Sequence, residues 1–417
     1  MASKTSACTA VGPCNAHGGA LLPYLEPKEG KLDSPDELIA TIRATADPPT
    51  LTWAASALEC HILRSVDSMP EGAEAALADR IGGLGAQGRP LEDPEREAAS
   101  GLLGALLELL CRRPGSRAPV QKLLLAEDRS WLSAVLRAMA GPGADRRFFS
   151  IDRSLRHARP PGPSPHAPQA GGSGRSPDYG IDGGAAFVRA CHMLAQLAEG
   201  DVEVAKALIS AHTLDLVGGR LLYATTGDSH RADSVREDLG TEWLPFATAA
   251  VTLIDALVAS EAQDADRFDL ADPELFTPGW ARYERTDVTV DGCVAALRQS
   301  LHTDSGSMVA QQLHLGALRA LSHIARLNEG QAHRIMSWKA LGLGVDVLRI
   351  GGVDEEAILA ALRFLAEVAA PCPFSYRQLT ACGAAEATER AAGRYPRSKA
   401  VRSEAARVLG LCQGASA

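Results

Sequence analysis

Aromatic residues are scarce in this chain, at 5% of its 417 residues. The alternation of β-branched and aromatic residues that marks β-strands is almost absent as well. No uninterrupted apolar run reaches the roughly 18 residues that a membrane helix needs. The N-terminal region also has no continuous apolar stretch of the kind found in a secretory signal. These absences predict an all-α chain with no membrane partner.

Basic residues are outnumbered by acidic ones. The chain has 42 Lys and Arg residues against 51 Asp and Glu residues, which gives a net charge of −9. A surface that binds nucleic acid must neutralise phosphates and is therefore basic. The charge balance predicts that nucleic acid is not a partner.

The nine cysteines form no recognisable metal site. Cys8, Cys14 and His17 come nearest to one, but three loosely spaced ligands fall short of the four that a structural zinc site uses. Several other cysteines lie in apolar helical stripes, where we interpret them as small buried side chains in a reducing compartment. We expect no metal, no cofactor and a cytoplasmic location.

The chain does have a helical phrase that returns every 44 residues. Its clearest copies are Ala317–Leu321, Ala361–Leu365 and Ala405–Leu409, and a fourth lies around Leu194. On a helix, a residue shares a face with the one four before it and the one three after it, so each copy presents a small-large-large apolar stripe. A fixed period of this length is typical of stacked helical repeats, which bury their apolar faces against their neighbours.

A glycine precedes the short helical segment that comes before each of the last three phrases. These residues are Gly292, Gly342 and Gly383. Because glycine commonly ends one helix and allows a sharp turn into the next, we read the unit as short helix, glycine, second helix, loop and third helix. This order resembles an armadillo repeat, with the HEAT repeat as the near alternative. The resemblance implies an all-α solenoid, a right-handed superhelix of stacked repeats, and leaves the activity open.

Composition divides the chain into five parts. A run of Pro, Gly and Ser near the middle is too poor in apolar residues to offset the entropy of ordering, so we expect it to be disordered. The predicted parts are a flexible tail at 1–33, N-terminal helical repeats at 34–144, a disordered insertion at 145–184, armadillo-like repeats at 185–412 interrupted by an acidic loop at 260–290, and a tail at 413–417.

The candidate catalytic motifs lack the surrounding residues or the secondary structure that their chemistry requires. The glycine-rich stretch 83–88 fits a dinucleotide fingerprint by letter, but it follows a helical segment and runs into proline. The acidic stretch 264–274 has Phe268 where a calcium loop needs an oxygen ligand. The adjacent pairs Cys60–His61 and Cys191–His192 point in different directions on a helix. We therefore predict that the chain has no catalytic residues and is not an enzyme.

One polar column points to a binding role. The position two residues before the last Leu of each phrase holds His192, Arg319, Arg363 and Arg407. Two residues correspond to a rotation of about 200°, so this column faces away from the buried stripe. Since the third helices line the concave groove of armadillo-like stacks, we expect a row of side chains suited to an acidic partner. The alternative is that Arg is simply a good helix former on a solvated surface.

The resemblance also constrains the kind of partner. Importin-type and catenin-type armadillo proteins hold extended peptides through a ladder of Asn side chains, whereas this chain has only Asn15 and Asn328. An importin-like grip is therefore not expected. We predict a protein-interaction scaffold or adaptor that binds a partner in its groove. The alternative is an Hsp70-binding regulator that promotes nucleotide exchange, with an enzyme a distant third. The oligomeric state and the partner stay open.

Overall fold

The computed structural model describes nine ranges of the chain, 34–85, 91–126, 130–148, 184–226, 243–267, 286–303, 307–350, 354–372 and 374–414. Within them the regular structure is helical, and no strand is present. The helices are α1 (Pro35–Ala44), α2 (Pro48–Arg64), α3 (Ala73–Gly85), α4 (Asp93–Arg112), α5 (Arg117–Leu124), α6 (Ser130–Phe148), α7 (Gly184–Ala198), α8 (Val202–Ser210), α9 (Thr213–Thr226), α10 (Trp243–Arg267), α11 (Thr286–Thr303), α12 (Met308–Leu327), α13 (Glu329–Ser337), α14 (Leu341–Arg349), α15 (Glu355–Ala369), α16 (Ser375–Cys382), α17 (Ala384–Arg394) and α18 (Lys399–Cys412).

Many of these helices begin at a polar capping residue. At the start of α1, Ser34 accepts a hydrogen bond from the backbone of Glu37, and the Glu37 carboxylate accepts one from the backbone of Ser34. This capping box satisfies amide groups that have no partner within the helix. Other helices use a single side-chain cap. These caps are Asp47, Asp201, Ser307, Asn328, Asp354 and Ser398.

The helices stack in two continuous layers. One layer runs through the long helices that end each repeat, in the order α2, α4, α7, α10, α12, α15 and α18, and each packs against the next. The second layer runs through α1, α3, α6, α9, α11, α14 and α17. Short first helices, α5, α8, α13 and α16, precede members of the second layer. The described residues therefore form an all-α solenoid of armadillo type, as the 44-residue period predicted.

The predicted apolar columns lie in the core. Leu194, Leu321 and Leu365 are fully buried, and so are the residues four before and three after each of them. Leu409 holds the same column in the last helix, where it is only partly buried because no further repeat follows within the described residues. The phrase therefore marks the third helix of each repeat.

The prediction that a glycine ends the short first helix of a repeat is correct at one of the three positions. Gly383 has a left-handed conformation and ends α16, as expected. Gly342 instead lies in the first turn of α14, and the left-handed residue before that helix is Lys339. Gly292 lies inside α11, where a Cβ atom would come within 2.8 Å of the Gly218 carbonyl oxygen of α9. Gly292 is thus needed for close helix packing, and it ends no helix.

The predicted loops are shorter than the sequence indicated. Helix α6 continues through Phe148, and α7 begins at Gly184, so both ends of the 145–184 insertion are helical. Likewise α10 continues to Arg267 and α11 begins at Thr286, inside the expected acidic loop. The middles of both segments, the 1–33 tail, the final residues 415–417 and the end of the glycine-rich stretch at 86–88 lie outside the described residues.

Helix α10 contains a long apolar stretch. Among the described helices it is the one whose length and composition would allow it to cross a membrane, over Trp243–Gln263, but 67% of that window is buried inside the protein. It packs between α7 and α12 in the third-helix layer. Its apolar composition is therefore explained by its central position.

Candidate partner-binding face

The predicted arginine column lies on the solvent side of the third-helix layer. Arg319, Arg363 and Arg407 are on the consecutive helices α12, α15 and α18, and their side chains are 43%, 55% and 42% exposed. We call this side of the layer the third-helix face. His192 is half-exposed on α7. Because α10 lies between α7 and α12, His192 is one helix away from the arginines.

Each of these arginines contacts carboxylates of neighbouring third helices. Arg319 bridges two helices, since its Nε lies 3.1 Å from Asp255 Oδ2 of α10 and its Nη1 lies 3.1 Å from Glu356 Oε1 of α15. At the C-terminal end, Nη1 of Arg407 donates to Glu367 Oε1 of α15 at 2.8 Å. Arg363 Nε lies 3.5 Å from Glu404 Oε1 of α18. The column is therefore part of a ladder of ion pairs that links the repeats.

Asp255 is the most unusual member of this ladder. Its side chain is 13% exposed, and its Oδ1 atom is buried without a hydrogen-bond partner. Burial raises the pKa of Asp255 to about 7, although Arg319 opposes the rise. The same carboxylate contributes, with burial, to the raised pKa of the Cys293 thiol on α11. Asp255 therefore changes charge near neutral pH, at the centre of the third-helix face.

A similar cluster lies at the N-terminal end of the layer. The Arg189 guanidinium of α7 donates to the Ser100 carbonyl oxygen at 2.8 Å and lies 3.3 Å from the Glu59 carboxylate of α2. It rests against Gly104, where a Cβ atom would lie 2.5 Å from Arg189 Nη1. Burial raises the pKa of Glu59, Glu108 adds to the rise, and Arg189 opposes it. Here the arginine joins one carboxylate and one backbone carbonyl oxygen from two neighbouring third helices.

The sequence did not predict these acidic residues. Glu356 and Glu404 sit at helix positions with no fixed relation to the repeated phrase, and Asp255 belongs to a helix that the phrase did not identify. The packing of α12 against α10 and α15, and of α15 against α18, brings them to the arginines. The third-helix face therefore carries charges of both signs, and the predicted arginines are paired with carboxylates.

Second-layer helices carry another arginine set that sequence reasoning missed. Their guanidinium groups donate to carbonyl oxygens of neighbouring helices, mostly at the ends where these carbonyls lack partners. The pairs are Arg80 with Thr45, Arg220 with Met139, Arg298 with Trp338, Arg349 with Cys382, and Arg394 with Ile350. We interpret these arginines as structural, since they join one helix to another.

Cys372, His333 and Glu329 are arranged in the order of a nucleophile, a base and an orienting acid. The Cys372 Sγ atom lies 3.4 Å from His333 Nδ1, and His333 Nε2 lies 3.6 Å from Glu329 Oε1. Cys372 is only 3% exposed, however, and burial together with the charge of Glu329 raises the pKa of its thiol. A nucleophilic cysteine needs access and a lowered pKa. We interpret this group as a packing contact between α13 and the end of α15.

Among the residues that the structure describes, no group of three or more His, Cys, Asp or Glu side chains is placed to hold a metal ion. Cys8, Cys14 and His17 lie outside these residues. Cys191 is fully buried, and burial raises the pKa of its thiol, so it does not act as a nucleophile with His192. The predictions of no metal, no cofactor and no enzymatic activity stay predictions.

No protein-family model matches the chain, and no curated protein matches it. Several solved structures are similar to it. A designed armadillo repeat protein is 16% identical with a TM-score of 0.38, over 84% of this chain and 98% of that one. Another designed armadillo repeat protein, in complex with the peptide (KR)4, is 16% identical with a TM-score of 0.37, over 71% and 98%.

A third structure comes from work on a phosphorylation switch that controls the interaction between cadherin and beta-catenin. It is 15% identical with a TM-score of 0.32, over 91% of this chain and 78% of that one. Likenesses at these values concern the fold alone. The assignment of an armadillo-type solenoid rests on the two helix layers described above.

Proposed function

We propose that the chain is a protein-interaction scaffold and that its third-helix face binds a segment of a partner protein. The observation that carries this proposal is the row of exposed, regularly placed arginines on α12, α15 and α18. A continuous layer of stacked helices offers a long surface on which successive repeats contact successive residues of a partner. Such a surface needs no catalytic group.

The arginines retain donors for an acidic partner segment. Arg363 contacts Glu404 through its Nε atom, and Arg407 contacts Glu367 and Glu404 through its Nη1 atom. A guanidinium has five N–H donors, so each of these side chains keeps N–H groups that can fork onto a partner carboxylate. Exposed ion pairs contribute only about 0–1 kcal/mol each, so exchanging one carboxylate for another costs little.

The carboxylates of the ladder then have a role in specificity. Glu356, Glu367 and Glu404 lie beside the arginines and repel acidic segments that do not match their spacing. Binding should therefore depend on the positions of the partner's charges as well as on their number. It should weaken with added salt, because the contacts are exposed.

The test uses Arg319, Arg363 and Arg407 changed together to Gln. Glutamine keeps a hydrogen-bond donor, whereas Glu would add negative charge beside Glu356, Glu367 and Glu404 and destabilise the helix layer. Affinity capture from cell extract at physiological salt, quantified by mass spectrometry, should show at least a tenfold loss of specific partners. The control is Arg390 and Arg402, both exposed on α17 and α18, changed together to Gln.

Two results would contradict the proposal. One is a triple variant that retains every partner of the wild-type chain while its melting temperature is unchanged. The other is an equal loss of partners in the control variant. The alternative of an Hsp70-binding regulator stays a prediction, and the same capture tests it, because Hsp70 would then be the main protein lost.

A further inference from the structure

A separate exposed surface lies at the start of α16, the first helix of the last described repeat. Phe374 is 67% exposed and Tyr376 is 37% exposed, although most large apolar side chains of the described residues are buried. The Arg377 guanidinium lies 5.4 Å from the centroid of the Phe374 ring and 5.8 Å from that of Tyr376. We call these three residues the Phe374 patch.

Local structure does not explain why an aromatic residue occupies this position. Phe374 is the N-cap of α16 and makes no side-chain capping bond. Several other described helices have Ser, Asp or Asn at this position, where an oxygen acceptor satisfies a free amide group. Phe374 supplies no such acceptor, and leaving its ring in water forgoes the burial energy of a large apolar side chain. The ring is therefore better placed for a contact outside the chain.

Arg377 has no carboxylate partner among the described residues. Its Nε donates to the Tyr376 hydroxyl oxygen at 3.1 Å, and this phenol is its hydrogen-bond acceptor in the structure. The neighbouring arginines Arg349, Arg390 and Arg407 are each paired with an acid. Arg377 thus presents a guanidinium that lies beside two rings and keeps its Nη donors for a forked contact.

The position of Arg377 favours an anionic group further. Tyr376 and Arg377 lie in the first turn of α16, where the aligned peptide dipoles leave a partial positive charge. Aromatic and Arg side chains are also the residues that contribute most to binding at protein interfaces. The patch therefore joins an apolar surface to a positive charge that has no carboxylate partner within the described ranges, and its complement is a carboxylate beside an apolar side chain.

We propose that the Phe374 patch binds an acidic segment of a partner protein, one that carries an aromatic or aliphatic residue next to its carboxylates. The Arg377 guanidinium takes the carboxylate, and the Phe374 and Tyr376 rings take the apolar side chain. This contact uses none of the residues of the third-helix face. It gives the scaffold a second and independent point of attachment.

The test measures fluorescence anisotropy with a labelled synthetic peptide of sequence Gly-Ser-Glu-Glu-Phe-Glu-Glu-Ser-Gly. The full chain should bind this peptide at least tenfold more tightly than the version with Gln in place of Glu. Arg377→Gln and Phe374→Ser should each weaken binding at least fivefold. Arg402→Gln is the matched control, since Arg402 is an exposed arginine of the same repeat outside the Phe374 patch, and it should leave binding unchanged.

Three results with the peptides and one with lipid vesicles would overturn the proposal. They are equal binding of the Glu and Gln peptides, equal binding to wild-type and Arg377→Gln protein, and no binding of the Glu peptide at 1 mM. Binding to anionic phospholipid vesicles with none to the peptide would also overturn it, because the patch would then recognise a membrane surface. Thermal melts confirm that each variant is folded. The triple Gln variant of the third-helix face should bind the peptide normally, which separates this proposal from the proposed function.

Discussion

Asp255 and His314 are two ionisable residues with little solvent exposure on neighbouring third helices, and their contributions to stability depend on pH in opposite directions. Burial raises the pKa of Asp255 to about 7 and lowers that of His314 to about 4. Native Asp255 holds a proton that the unfolded chain releases above pH 4, so its contribution to stability falls as pH rises from about 4 to 7. Native His314 lacks a proton that the unfolded chain binds, so its contribution falls as pH drops from about 6.5 to 4.

We predict that the two effects partly cancel in the wild-type chain and can be separated by substitution. The difference in unfolding free energy between Asp255→Asn and wild type should grow by about 1–3 kcal/mol in favour of the variant from pH 4 to pH 7. For His314→Leu, the difference should grow in favour of the variant as pH falls from 6.5 to 4. Urea denaturation at several pH values measures both. Differences that do not change with pH would show that neither residue titrates in this range.

At the scale of single elements, the turn between the first and second helices of a repeat has the same left-handed backbone conformation in three repeats, but a different residue occupies it in each. His212, Lys339 and Gly383 all have positive φ, at 60°, 55° and 72°. A residue with a Cβ atom pays about 1–2 kcal/mol for this conformation, whereas glycine does not. The search for glycines therefore located only the turn at Gly383, where glycine occupies the positive-φ position. The other two turns are imposed by the packing of the helices around them.

We predict opposite effects of substitution at two of these turns. Lys339→Gly should raise the free energy of unfolding by about 0.5 kcal/mol, because relief of strain exceeds the added entropy of the unfolded chain. Gly383→Ala should lower it by about 1 kcal/mol. Lys339→Ala, which keeps the strain, is the control and should change little. Chemical denaturation gives all three values, and shifts of Lys339→Gly and Gly383→Ala in the same direction would contradict the explanation.

At the scale of the whole molecule, each repeat depends on its neighbours. Leu365 is fully buried on α15, which packs between α12 and α18, and Leu409 holds the same column in α18 with partial exposure. We predict that Leu365→Ala lowers the unfolding free energy by about 2–5 kcal/mol and that Leu409→Ala lowers it by clearly less. Hydrogen exchange in Leu365→Ala should also quicken in α12 and α18, because solenoid stability is shared across interfaces. Equal losses in the two variants would show that the column is wrongly placed.

The sequence predicted the features of this molecule that depend on residue spacing within one helix, and it missed those that depend on contacts between helices. The period over 317–409 repeats a local pattern along single helices, so it could be recognised in the sequence. Helix α10 was missed as a third helix because its central place makes it apolar on several sides, which hides the stripe. The sequence pattern revealed the arginine column. It could not reveal the acidic partners of these arginines, because those residues come from other helices.

The sequence by itself determined the helical class, the repeat and the outward position of Arg319, Arg363 and Arg407, because these depend on spacing along one helix. Only the tertiary structure decided which charges meet. Arg319 reaches Asp255 and Glu356 across two helix interfaces, and burial at those interfaces sets the pKa of Asp255. Contacts between helices and the exclusion of water are properties of the packed layers, and no period in the sequence encodes them.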